Sequence, residues 1–201
     1  MGQKIKGKNM SKSVLYNFDI KLNRDLWESS GIKSSNVYAR EAFIERALTN
    51  ALYFDCNQIV EIASGSDFRF AARNNINYYS CNILDVNWYE QLINEGFNPY
   101  KSSFVLGCEL VFSIERDEFI NLLQSLKNLM TEGSSFVFSY PVTKYETFEL
   151  EVLLSTYGFR VYEHLDSQEA EEQLFYKYNL INSKRKIIPP EGVNYCLAVR
   201  K

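Results

Sequence analysis

The chain has 201 residues, 46% of them hydrophobic, and a formal net charge of −3. That is enough apolar material for one globular domain with a real core, and the charge gives no reason to invoke nucleic acid or an anionic membrane. No stretch reaches the roughly 18 uninterrupted apolar residues that span a bilayer, and the N-terminus lacks the apolar segment of a secretory signal. A cytoplasmic protein is expected.

In chain order, residues 1–12 ("MGQKIKGKNMSK") read as a solvated basic tail. Lys6 stands where an N-myristoylation signal wants Ser or Thr, which removes that reading. Residues 13–201 read as one domain, with an N-terminal helical cap over 13–55 and a core over 56–201. Within the cap, the spacing of Phe43, Ile44, Ala47, Leu48 and Ala51 predicts an amphipathic helix over 36–54. Arg40 falls on its apolar stripe, where a charge is out of place unless it snorkels at the helix start.

A strand "QIVEIA" follows, then a small-residue turn around Gly65 and a short helix near residues 67–73. "INYYSCNIL" reads as the second strand, and "VNWYEQLINEGF" as a helix stopped near Gly96. "SFVLGCELVF" reads as a third strand, apolar enough to be covered on both faces. Ser113 is placed to cap the next helix, whose face is Phe119, Leu122, Leu123, Leu126 and Met130, with Gly133 as its stop. "SSFVFSYP" is a fourth strand, "YETFELEVLLSTYG" a helix and "FRVYEHL" a fifth strand. "DSQEAEEQLFYKYNL" is helical, "KRKIIPPEG" a loop and "VNYCLAVR" the sixth strand.

Strands alternating with helices predict a doubly wound α/β sheet, mostly parallel. The pattern leaves the relative direction of the last two strands open. Ligands of such sheets bind beyond the carboxyl ends of the strands. That rule gathers residues 63–66, 82–85 and 107–112 with Tyr140 around one crevice. Cys56, Cys81, Cys108 and Cys196 are widely spaced, and His164 is the only histidine. Reduced, mostly buried thiols are expected, rather than zinc ligands. His164 reads as a surface residue at a strand end.

Small side chains in the turn let a ligand approach backbone N–H groups near a helix start. A dinucleotide loop needs G-x-G-x-x-G, but Phe68 occupies the third glycine position of Ala63-x-Gly65-x-x-Phe68. Its ring opposes the close helix–strand packing of an NAD fold. No G-x-x-x-x-G-K-[ST] is present, which excludes the usual P-loop. About 20 residues beyond the turn, Asn82 and Asp85 stand where a ribose hydroxyl is often held, and Asp85 reads equally well as a helix N-cap.

Taken together, "VEIASGSDFR", "GFNPYKSSFVLGCELVF", "FINLLQSLKNLMTEGSSFVFSYP", "YGFRVYEHLD" and "GVNYCLAVRK" resemble the class I S-adenosylmethionine-dependent methyltransferases. They are most similar to the leucine carboxyl methyltransferase-like O-methyltransferases. Residues 63–69 lie over that family's glycine loop, approximately G-A-G-L-D-T-R, and Asp67-x-Arg69 is the most specific match. The resemblance covers about residues 36–201.

It implies a Rossmann-like sheet with an antiparallel C-terminal strand and S-adenosyl-L-methionine as cofactor. Arg40 would grip the cofactor carboxylate. Glu61 and the turn Ala63, Ser64 and Gly65 would hold the methionine and ribose, Asn82 and Asp85 would lie near the adenosine, and Gly107 and Cys108 would floor the site beneath the methyl group. Ala63 replaces the family's first glycine. Six strands can be counted where the family has seven, so one β–α unit is missing, either the ribose-binding or the adenine-binding strand.

The reaction mainly requires placing a nucleophile in line with the methyl carbon. A hydroxyl acceptor would benefit from a base, for which Glu109 and Tyr140 are the candidates. The expected activity is O-methylation of a small molecule or carboxylate. The alternative is a degenerate methyltransferase fold that acts as a binding or scaffold partner.

Overall fold

A computed structural model describes residues 35–62, 76–82, 85, 87–108 and 110–201. Among them, six strands form one sheet: β1 (Gln58–Ile62), β2 (Asn77–Cys81), β3 (Ser103–Leu106), β4 (Ser135–Pro141), β5 (Phe159–Leu165) and β6 (Val193–Arg200). Their spatial order is β2-β1-β3-β4-β6-β5. The first four run parallel, and β6 is antiparallel to both of its neighbours, β4 and β5. The sheet is thus mostly parallel with an antiparallel C-terminal strand, as expected. Among the described strands, β2 lies at one edge of the sheet, directly beside β1, and β5 lies at the other.

Helix α1 (Ser35–Tyr53) covers one face of the sheet. Ala39, Ala42, Phe43, Ile44, Ala47 and Leu48 are buried there with Ile59, Phe104, Leu106, Val137 and Leu197. The opposite face packs against α2 (Trp88–Asn94), α4 (Arg116–Leu129) and α5 (Thr147–Thr156), with Phe119, Leu122, Leu123 and Leu126 wedged over Val105, Phe136 and Phe138. Every residue of β1 is buried, as two covered faces require. Edge strand β2 instead buries only Tyr79 and Cys81. Gly96 follows α2 with φ +97, the left-handed conformation in which glycine commonly terminates a helix.

Three local readings are corrected. The apolar run 103–112 is not one strand: β3 ends at Leu106, and Leu110–Ser113 forms a short helix, α3, that buries Leu110 and Val111. Continuous apolarity cannot distinguish a buried strand from a buried helical turn. Ser113 does not cap α4, because its hydroxyl turns back to donate to the Leu110 carbonyl at 3.0 Å. Glu115 holds the N-cap position, and its N–H donates to the Glu118 carboxylate at 2.7 Å. Gly133 stands beyond the end of α4; it makes the turn into β4 with φ +82, and its N–H donates to the Arg200 carbonyl.

The helical stretch after β5 is also not uniform. It runs as α6 (Ser167–Ala170), a π-helical turn (Glu171–Phe175) and α7 (Tyr176–Ile181). The wider turn sets Ala170 and Phe175 five residues apart on one inward face, and both are fully buried against the α1 side. All four cysteines are free and buried.

Candidate functional site

The parallel strands end together. Ile62 of β1 lies opposite Cys81 of β2, and Glu61 opposite Leu106 of β3. Asn82, Asp85, Gly107 and Cys108 therefore reach one edge of the sheet, the carboxyl edge, where Tyr140 also lies near the end of β4. Ala63, Ser64, Gly65 and Glu109 lie outside the described residues, as do Asp67 and Arg69.

The pleat then divides these residues between the two faces. Glu61 shares the α1 face with Ile59, and Arg40 descends onto the same face from α1. Both are buried, at 9% exposure for Arg40 and 6% for Glu61. Burial raises the Glu61 carboxyl from its ordinary 4.5 to about 7, against the opposing pull of the Arg40 charge. Buried charged groups at a ligand edge are costly to a fold and mark functional sites.

Asn82 and Asp85 are exposed. The N-cap of α2 is Asn87, so the capping alternative for Asp85 is not the one adopted. Cys108 is buried on the α1 face. Gly107 packs close to the opposite face: a Cβ there would stand 2.7 Å from Phe136 Cε2. Its lack of a side chain serves this contact with the sheet.

Tyr140 points away from Arg40 and Glu61. Its ring is fully buried in the opposite face, its hydroxyl lies 2.8 Å from His164 Nε2, and Asn194 Nδ2 donates to it at 3.2 Å. His164 is half-buried in this cluster rather than a surface residue. Burial lowers its pKa and raises that of Tyr140.

Sequence reasoning missed Tyr195 of β6. It lies on the α1 face, with its ring 5.8 Å from that of Phe43. Burial pushes its phenol up to about 12, and the Arg40 charge opposes the shift. The alternation in "VNYCLAVR" was legible, but which half faced α1 depended on the strand's direction. Among the described residues, no group of three or more His, Cys, Asp or Glu side chains is arranged to hold a metal ion.

No protein-family model and no curated protein matches the chain. Solved structures do. A DUF574 family protein from Streptomyces avermitilis is similar at a TM-score of 0.53 and 10% identity, over 82% of this chain and 83% of that one. Magnesium protoporphyrin IX methyltransferase from Synechocystis PCC 6803, solved with bound SAM, is similar at 0.50 and 9% identity over 100% of both chains. At such identities the likeness is one of fold: a Rossmann-like α/β sheet of the kind found in S-adenosylmethionine-dependent methyltransferases.

Proposed function

We propose that the chain is an S-adenosylmethionine-dependent methyltransferase that methylates an oxygen of a small molecule or carboxylate. The observation that carries this reading is the buried pairing of Arg40 with Glu61 on one face of the sheet, near the carboxyl edge. An arginine and a carboxyl fit the two charged ends of an amino acid, and the cofactor carries such a group. The sulfonium of S-adenosylmethionine supplies an already activated methyl group.

In this reading Arg40 holds the cofactor carboxylate. Glu61 and the turn of Ala63, Ser64 and Gly65 accept the methionine and ribose. Exposed Asn82 and Asp85 flank the adenosine at β2, the edge of the sheet. Gly107 and Cys108 floor the site where β3 ends. The remaining task of the protein is to exclude water and align the acceptor. A carboxylate acceptor needs no base. For a hydroxyl acceptor, Glu109, next in the chain after Cys108, takes the proton. Tyr140 is assigned a supporting role, because its hydroxyl is engaged by His164 and Asn194 on the other face.

Calorimetric titration with S-adenosylmethionine and S-adenosylhomocysteine, with NAD as control, tests the proposal. Saturable binding of both sulfur ligands, lost in Gly65→Trp, is expected. No binding at millimolar ligand by the folded protein would overturn it and leave the degenerate, non-catalytic scaffold.

A further inference from the structure

The sheet's own packing does not call for a phenol at position 195. Tyr195 lies in β6 between β4 and β5, is 1% exposed, and its hydroxyl has no hydrogen-bond partner among the described residues. Native structures seldom leave a buried hydroxyl unpaired, and phenylalanine would fill nearly the same space without that penalty. The surroundings point to what the hydroxyl is for. Phe43 touches the Tyr195 ring from α1, and Arg40 lies three residues earlier on the same buried helix face.

The strand register adds depth. Glu61 belongs to the level of Leu106, Val137 and Leu197. Tyr195 belongs to the level of Ser139 and Leu165, two residues nearer the carboxyl edge. Arg40 acts electrostatically on both Glu61 and Tyr195. An anion received by Arg40 therefore comes within the neighbourhood of the phenol.

We propose that Tyr195 is a second donor to the carboxylate that Arg40 receives, with its O–H completing a two-residue clamp for the amino-acid end of the cofactor. This rests on the methyltransferase reading. It assigns a binding role to a residue in the half of the sheet formed by β4, β6 and β5.

The test compares the full chain with Tyr195→Phe, using S-adenosylhomocysteine and 5′-methylthioadenosine as probes. The second probe lacks the carboxylate. The expected result is a loss of about 10- to 150-fold in S-adenosylhomocysteine affinity, on the order of one hydrogen bond to a charged group. Affinity for 5′-methylthioadenosine should be unchanged, and the ligand-free variant should melt no lower than the wild type. Equal S-adenosylhomocysteine affinity in both proteins would overturn the clamp while leaving the methyltransferase reading intact. A lower melting temperature with parallel loss of both ligands would assign Tyr195 to packing alone and also overturn it. A folded wild type that binds neither probe would remove both readings.

Discussion

The hydroxyl of Tyr140 lies 2.8 Å from Nε2 of His164 and so ties the end of β4 to the end of β5 across the intervening strand β6. Asn194, on β6 itself, donates to the same hydroxyl. Tyr140→Phe keeps the ring but leaves two partly or wholly buried groups without their partner. It should destabilise the fold by about 1–2 kcal/mol in urea titration. His164 adds an acid-side dependence. Burial lowers its folded pKa below the ordinary 6.5, so on acidification the unfolded chain takes up the proton first. Stability from this group is present above pH 6.5 and declines as pH falls below it. His164→Gln should remove this slope.

Much of the framework was legible because it rests on local pattern. "FRVYEHL" and "VNYCLAVR" coincide with β5 and β6, and the α1 stripe predicted its buried face. What pattern could not supply was direction in space. Arg40 and Glu61 could be singled out separately, but only the crossing of α1 over the sheet brings them to one face. The same information sends Tyr140 to the opposite face and brings Tyr195 onto the α1 face. "SFVLGCELVF" misled because burial on all sides erases periodicity, so the turn from β3 into α3 left no mark beyond Gly107.

Glu61 should impart a second and opposite pH dependence. Its carboxyl titrates near 4.5 in the unfolded chain and about 7 in the fold. Between those values the folded state holds the additional proton, so stability falls as pH rises through this window, by roughly 3 kcal/mol at most from this group. Chemical denaturation of the ligand-free protein at several pH values measures the slope. Glu61→Gln should flatten it. A slope unchanged by the substitution would show that the carboxyl does not titrate as its burial requires.

Gly107 should not tolerate a side chain. A Cβ would meet Phe136 Cε2 at 2.7 Å and Cζ at 3.0 Å, and that ring is fully buried and stacked on Phe138 with centroids 4.7 Å apart. Gly107→Ala is expected to cost about 1–3 kcal/mol through overpacking. Pairing it with Phe136→Leu should recover part of that cost. The coupling term of the double-mutant cycle is the measurement, and strict additivity would show that the contact is not the source of the loss.

Asn179 fastens the long connection before β6. Its side chain is buried at 6% exposure; Nδ2 donates to the Ile187 carbonyl at 2.9 Å and to Glu171 Oε1 at 3.1 Å, while Oδ1 accepts from the Ile187 N–H at 2.8 Å. The amide thus pairs both backbone groups of Ile187, whose side chain is buried in the α1-face core. Asn179→Ala leaves the Ile187 N–H and C=O without these partners and should destabilise the protein by about 2–3 kcal/mol. Asn179→Asp should be worse near neutral pH, because it loses both donations and brings a second carboxylate beside Glu171. Hydrogen exchange gives the local readout: the Ile187 amide should exchange much faster in Asn179→Ala, while amides of central strand β3 follow only the global loss of stability. If the Ile187 amide kept the protection expected from global stability alone, the side-chain bridge would not be what holds this connection to the sheet.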